Sequence, residues 1–252
     1  MMSRNITVTH SSQPCRQITV THGSQKAAGL NGTQLKLIAA VSMLIDHIGS
    51  IFSPAQSWMH FLGRIAMPVF AFCISEGYIH THSRKKYLLR LGLFAFISEL
   101  PFDLAFTGGI DLTQQNIMLT FALAVIALML WDAIIRDRKP SYLRVICGLA
   151  AVAGVCTAAV LLGADYTFFG IGTVWIFYVT RNRALWERTV CGVGFTTLMR
   201  TAHSASGSTF GMVPLLFYNY RRGRGLKWLF YAFYPGHLLV LFLLNTLLHM
   251  PK

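Results

Sequence analysis

Long apolar runs follow one another along most of the chain, each separated from the next by a short polar stretch. Several approach the roughly 20 residues that a helix needs to cross a bilayer. We therefore predict an all-α, polytopic transmembrane bundle of about nine spans, in which the seventh and eighth are either separate helices or one re-entrant hairpin. The approximate bounds are 34–52, 58–79, 86–106, 115–134, 143–163, 166–180, 185–201, a short segment ending at Tyr220, and 227–248.

The overall composition agrees with this pattern. Hydrophobic residues make up 54% of the 252 positions, charged residues only 12%, and the mean hydropathy is +0.51. Soluble domains carry about 25% charged residues. The composition therefore excludes a soluble domain of any size.

The net charge of +13 follows the predicted topology. The connections around residues 84–90, 136–144, 181–188 and 221–227 are rich in Lys and Arg, whereas the alternate connections are nearly free of them. Because basic loops stay on the cytosolic side, the alternation predicts a cytosolic N-terminus and an external C-terminus. The basic residues would also contact anionic membrane lipids. Nucleic-acid binding is not expected, because no soluble basic face carries aromatic residues.

Residues 1–29 differ from the rest of the chain. They are polar and contain a near-repeat, 6–13 and 18–25. They lack the basic start and apolar stretch of a secretory signal. We predict a flexible cytosolic tail (1–29) followed by a transmembrane domain (30–252). The five cysteines form no CxxC pair, so no metal site is expected.

Ionisable residues are rare and costly inside a bilayer, at roughly 2.5–3.5 kcal/mol each on insertion scales, and they often mark functional sites. In this sequence they fall at a similar predicted depth, in the outer half of several spans. Glu99 and Asp103 share a helix face, and Pro101 between them is expected to bend or break that turn. The polar set is Asp46, His47, Arg64, Glu99, Asp103, Gln115, Asn116, Asp165, Tyr166, His203 and, closer to the middle, His237. We expect it to surround a polar cavity.

Such a cavity suits acid–base chemistry by a histidine that a carboxylate orients. Arg64 stays cationic and could hold a carboxylate, a phosphate or a developing oxyanion. Two structural interpretations remain open: Asp46 and Arg64 could simply form an interhelical ion pair, and His237 could bond a carbonyl freed by Pro235. The sequence contains no HExxH, P-loop or GxSxG motif.

Several stretches, in this order, resemble the TraX family of membrane proteins. The resemblance extends from about Leu30 to Leu244. The matching stretches are 35–49, Gly63-Arg64-Ile65-Ala66-Met67-Pro68 continuing to Phe72, 115–117, Tyr166 with 170–171, and Tyr234-Pro235-Gly236-His237. Residues 83–90 and 98–103 resemble a bacterial branch of the family.

The resemblance implies an acetyltransferase of the bacterial inner membrane that acetylates the N-terminal amine of F-type pilin from acetyl-CoA. TraX is also similar to the acyltransferase-3 group, in which a histidine near the first span serves catalysis. By position, His47 would be the base, with Asp46 and Arg64 as catalytic partners. Expected lining residues are Glu99, Asp103, Gln115, Asn116, Tyr166 and His237. Acetyl-CoA is the expected donor, and the acceptor is a pilin or another envelope component.

Acetyl-CoA is cytosolic, whereas the polar set is predicted on the outer side. We therefore expect the coenzyme to enter from the basic inner face and its thioester to reach outward to His47. Two other functions remain open. A proton-coupled transporter would also carry buried carboxylates and histidines, although no internal repeat is visible. A pilus-assembly membrane protein without catalysis is the second.

Overall fold

The structure is a computed structural model, and it describes residues 29–136, 140–198 and 206–248, with the Ser206 side chain left out. Apart from Gly29, the predicted tail lies outside these ranges, as does His203. Helices are the main regular elements of the described residues. They are α1 (Gly32–Phe52), α2 (Ser57–Gly63), α3 (Ala66–His80), α4 (Arg84–Phe106), α5 (Ile117–Ile134), α6 (Tyr142–Leu161), α7 (Thr167–Val179), α8 (Leu185–Leu198), α9 (Ser206–Phe210), α10 (Val213–Leu216) and α11 (Lys227–Leu248).

The helical class is confirmed, and five segments are long and apolar enough to cross a membrane: α1, the α2–α3 pair, α5, α6 and α11. The second predicted span is divided between α2 and α3 at Arg64. The predicted eighth span is divided between α9 and α10, which are short. The total of nine spans and the cytosolic N-terminus remain predictions.

Pro101 does not interrupt α4, which runs without a break from Arg84 to Phe106. Of the two expected outcomes, the break is therefore wrong, and a bend at Pro101 stays a prediction. A proline lacks the N–H that would bond the carbonyl four residues earlier, at Ile97. The helix tolerates this loss within an otherwise regular run of turns, so Glu99 and Asp103 stay on one continuous helix.

A carboxylate network ties together the end of the bundle that is far from the predicted polar set. Asp132 of α5 accepts hydrogen bonds from the hydroxyls of Tyr78 and Tyr178, at 3.0 and 2.5 Å. It also forms an ion pair with Arg84 at 2.6 Å. These contacts join α3, α4, α5 and α7. Nearby, the buried Arg188 of α8 pairs with Glu76 of α3 at 2.8 Å. Because each of these charged groups has a partner, a structural role is enough to explain their presence in the bundle.

The two ends of the bundle differ in how many Lys and Arg residues they carry. Short connections make successive helices antiparallel, so the C-termini of α1, α4 and α6 meet the N-termini of α5 and α7 and the α2–α3 junction at one end. Among the described residues, Arg64 is the one Lys or Arg at this end. The remaining described Lys and Arg residues lie towards the opposite end. A single cation therefore stands among several acids and histidines.

Candidate active site

A cavity of about 230 Å³ opens at the end of the bundle that contains Arg64. The residues around it come from α1 to α5, from α11 and from the connections before α3, α5 and α7. Four of the nine predicted site residues line it: Asp46, His47, Arg64 and Tyr166. Its other lining residues are Met43, Ser50, Gly63, Ala66, Met67, Phe70, Phe102, Phe106, Gln114, Ile117, Asp165 and Tyr234.

Arg64 lies at the junction of α2 and α3, where the helix breaks. Its guanidinium Nη1 donates a hydrogen bond to the Tyr166 hydroxyl at 3.1 Å. Its Nε is buried and has no hydrogen-bond partner among the described residues. The junction packs closely on α9, since a Cβ at Gly207 would lie 2.3 Å from the Phe61 carbonyl oxygen. The side chain of Arg64 is thus held in place with donor capacity left over.

The partner of Arg64 is held by an unusual backbone. Tyr166 and Thr167 both have positive φ angles, 56° and 36°. Non-glycine residues adopt this region at a cost of about 1–3 kcal/mol, and such residues cluster at functional sites. The N–H of Asp165 donates to the Gln115 carbonyl and that of Gln115 to the Gly163 carbonyl, both at 2.9 Å. This bridge fixes the loop that aims Tyr166 at Arg64.

Asp46 has a different partner from the one expected. Its Oδ1 lies 3.0 Å from Nδ1 of His60 on α2, and in the described residues no ion pair within 4.0 Å joins it to Arg64. The simple Asp46–Arg64 pair is therefore wrong. His60 carries no role in our sequence prediction, and only its position beside a short turn could have drawn attention to it. Asp46 thus connects α1 to α2 at the rim of the cavity.

Gly63 permits this contact. A Cβ at position 63 would lie 2.1 Å from the Cβ of Asp46. We expect Gly63→Ala to push α2 away from α1, to break the Asp46–His60 contact and to lower stability by about 1–3 kcal/mol, as overpacking usually does. The measurement is thermal unfolding of the detergent-solubilised variant.

Gly92→Ala is the matched control. Gly92 lies inside α4, with no atom within 4 Å of a Cβ built on it. The substitution is expected to leave the unfolding temperature unchanged or to raise it, because alanine favours helix by about 1 kcal/mol over glycine. Equal unfolding temperatures for both variants would contradict the close packing at Gly63.

His47 contacts another histidine. Its Nδ1 lies 2.7 Å from Nε2 of His237 on α11, and the ring packs edge-on against Phe106. We expected a carboxylate to orient this imidazole, and that expectation was wrong. His237 in turn bonds the Phe233 carbonyl at 2.7 Å. The carbonyl that Pro235 frees in a helix is that of Tyr231, four residues earlier, so this alternative for His237 was also wrong.

Glu99, Asp103 and Asn116 form a separate cluster between α4 and α5. The Asn116 amide donates to Glu99 and, at 2.8 Å, to the Ala95 carbonyl, while its Oδ1 caps α5 at the Met118 N–H. Asp103 accepts a hydrogen bond of 3.1 Å from the Asp111 N–H. None of the three lines the cavity. They lie beside it and shape the connection between the helices.

The same connection explains the position of the glutamines. Gln115 uses its backbone for the bridge to residues 163–165, and its side chain bonds the Leu112 carbonyl at 3.3 Å. Gln114 lines the cavity instead. Thr113 donates twice to Asp111, which lowers the pKa of that carboxyl. Sequence spacing could not distinguish two adjacent glutamines in a loop.

Comparison with known proteins gives the family. Residues 31–245 match the family described as TraX protein. A probable fimbrial assembly protein, FimC of serogroup H1, from Dichelobacter nodosus is 28% identical over 82% of this chain and 93% of its own length. Protein TraX of Escherichia coli is 35% identical over 36% of each chain. No solved structure matches the chain. Since the family match covers most of its length, the chain belongs to the TraX family.

Proposed function

We propose that this protein is an acetyltransferase of the bacterial inner membrane. It transfers the acetyl group of acetyl-CoA to an amine or hydroxyl acceptor, with the N-terminal amine of a pilin or fimbrial subunit as the first candidate. Membership of the TraX family supports the chemistry. The Dichelobacter nodosus relative, which matches along nearly its whole length and is described as a probable fimbrial assembly protein, supports a subunit of a surface fibre as acceptor.

The observation that supports the proposal is that His47 and Arg64 both line the same cavity. His47 has one ring nitrogen, Nε2, without a hydrogen-bond partner among the described residues. Arg64 brings the one cation that the described residues place at this end. Acyl transfer needs a base for the attacking group and a donor for the oxyanion. The cavity offers both.

The reaction follows from these two groups. Nε2 of His47 removes a proton as the amine nitrogen attacks the thioester carbon. Arg64, together with Tyr166, stabilises the oxyanion of the tetrahedral intermediate. The C–S bond then breaks, and the proton on the imidazolium passes to the departing thiolate. The products are the acetylated amine and free coenzyme A.

The basic end supports a binding position for the negatively charged part of the coenzyme. Lys36 and the basic residues near Arg84 lie at that end, and by helical rise Lys36 is roughly 16 Å from His47 along α1. We propose that the phosphates contact the basic end while the extended pantetheine arm carries the thioester towards the cavity. The acceptor approaches from the opposite side of the membrane.

The test uses the purified full chain in detergent or vesicles with acetyl-CoA and a peptide that begins with a pilin N-terminus. We expect free thiol to appear in step with the mass increase on the peptide amine that results when an acetyl group replaces one hydrogen, with one acetyl group transferred per turnover. His82→Gln is the control for replacing His47 by glutamine, because His82 is an exposed histidine far from the cavity. This variant should keep the wild-type kcat at saturating acetyl-CoA, although its loop lies at the end proposed to bind the coenzyme phosphates.

Two outcomes would overturn the proposal. One is that the purified protein releases no thiol and that cells with and without the protein show the same acetylation of their envelope peptides and glycans. The other is transport of a substrate into vesicles with no turnover of acetyl-CoA, which would favour the transporter.

A further inference from the structure

We propose that His237 is a positioning residue for His47: it fixes which ring nitrogen of His47 carries the hydrogen and so leaves Nε2 as the base that faces the cavity. The inference deepens the proposed acetyl transfer and rests on it. It assigns to His237 a role in the base itself, from α11, rather than a contact with the substrate.

Two hydrogen bonds, one between the Phe233 carbonyl and His237 and one between His237 and His47, form a relay that begins at the backbone of α11. Nδ1 of His237 lies 2.7 Å from the Phe233 carbonyl oxygen. A carbonyl oxygen only accepts hydrogen bonds, so Nδ1 must carry the hydrogen. In a neutral imidazole the other nitrogen is then an acceptor. The backbone of α11 thereby sets Nε2 of His237 as an acceptor.

The next link runs from α11 to α1. Nε2 of His237 and Nδ1 of His47 are 2.7 Å apart, so one hydrogen lies between them. Since Nε2 of His237 accepts, Nδ1 of His47 donates. The two rings are within 7° of parallel, with centroids 5.0 Å apart. Together with the short N···N distance, this separation means that the rings lie edge to edge in nearly one plane, as a direct hydrogen bond requires.

The consequence appears at the other side of the His47 ring. With its hydrogen on Nδ1, neutral His47 keeps an unshared pair on Nε2. His237 does not line the cavity, whereas His47 does. The nitrogen that remains for a substrate is therefore the basic one, and the wrong tautomer would instead present an N–H that cannot accept a proton.

The surroundings keep the relay neutral. His237 is 8% exposed, and its outer side faces an apolar groove between α1 and α11. Phe233 stacks on its ring at 4.7 Å. A charged imidazole there would lose its hydration without gaining a carboxylate partner, which is costly. A second histidine thus does the orienting work that a carboxylate does in other acid–base pairs, without bringing a charge. The groove is lined by Leu44, Leu229, Ala232, Phe233, Gly236, His237, Val240 and Leu241.

A packing role for His237 makes the opposite prediction for two substitutions. Leucine fills a similar volume and suits an apolar site, but it has no acceptor. Glutamine keeps an amide oxygen near the position of Nε2, but it brings a polar group to a buried place. Packing alone therefore favours His237→Leu, whereas positioning favours His237→Gln.

The experiment compares kcat and KM for acetyl-CoA in wild type, His237→Leu and His237→Gln, together with their unfolding temperatures. A general base contributes roughly 10²–10⁴-fold to a rate, and its orientation is part of that factor. We expect His237→Leu to lower kcat at least tenfold (roughly the lower part of that range) with KM nearly unchanged. His237→Gln should restore much of the lost kcat although it is no more stable than His237→Leu.

Each outcome has one meaning. A kcat for His237→Leu equal to that of wild type, or above that of His237→Gln, would overturn the positioning role while leaving acetyl transfer intact. Loss of folding in His237→Leu alone would show that the contact with His47 serves folding, and would overturn a role confined to the rate. Wild-type protein without acetyl transfer would instead overturn the proposed function.

Discussion

Replacing His47 by glutamine is expected to lower kcat for acetyl transfer by about 10²–10⁴-fold, the usual contribution of a general base. Glutamine keeps a polar side chain of similar length, so most of the packing between α1 and α11 is kept, although its amide lies nearer the position of Nε2 than of the Nδ1 that contacts His237. It has no group that takes up a proton at neutral pH. The KM for acetyl-CoA should therefore change little, and the loss should appear in kcat, measured by thiol release and by the mass of the acceptor peptide.

His60→Gln is the informative comparison for His47→Gln. His60 also has an imidazole near the cavity, and it contacts a carboxylate, Asp46, at 3.0 Å. Because a carboxylate often orients a catalytic histidine, this contact would make His60 the stronger candidate for a base. It does not line the cavity, however. We expect His60→Gln to lower kcat less than tenfold (about 1.4 kcal/mol at most), and a larger loss there than at His47 would transfer the catalytic role to His60.

The convergence of polar residues at one end of the bundle could be predicted from the sequence. Helix lengths and basic connections determine depth, and Asp46, His47, Arg64 and Tyr166 do line one cavity. The depth of a residue in the bilayer depends on its position along a helix, and its place within an apolar run of about 20 residues gives that position. Glu99 and Asn116 lie at a similar level but face the α4–α5 contact instead.

The pairing of these residues could not be predicted, because it depends on direction around each helix. Asp46 and His47 are adjacent, and successive residues of a helix point about 100° apart. One side chain therefore reaches α2 and the other α11. Nothing in the sequence says which neighbour lies on which side of α1. The positive φ of Tyr166 could not be predicted either, because the residue at this position is not a glycine.

In the proposed mechanism the two paired histidines and the single arginine have separate tasks. His47 and His237, joined at 2.7 Å, would handle the proton that leaves the acceptor. Arg64 and Tyr166, joined by a hydrogen bond of 3.1 Å, would stabilise the negative charge of the intermediate. Asp46 and Asp165 line the cavity near the arginine. Neither carboxylate forms an ion pair with Arg64 within 4.0 Å in the described residues, which leaves the guanidinium available for an oxyanion formed in the proposed reaction.

This division predicts the behaviour of variants at Arg64. Arg64→Met removes the cation and its donors while keeping a long apolar side chain at the junction of α2 and α3. Loss of one oxyanion donor costs roughly 10²–10³-fold in kcat. We expect a loss in this range, measured as for His47. Arg64→Lys keeps a charge but not the planar set of donors, so it should recover only part of the rate.

The control for charge is Arg183→Met, since Arg183 is exposed at the basic end. Its kcat at saturating acetyl-CoA should equal that of wild type, and any effect on coenzyme binding should appear in the KM for acetyl-CoA alone. Unfolding temperatures separate catalysis from folding, because Arg64 also joins the α2–α3 junction to the loop of Tyr166. If Arg64→Met unfolds early but retains kcat at low temperature, the arginine holds helices together and stabilises no oxyanion. If Arg64→Lys matches wild type, a point charge is enough, and the free Nε of the guanidinium has no part in the reaction.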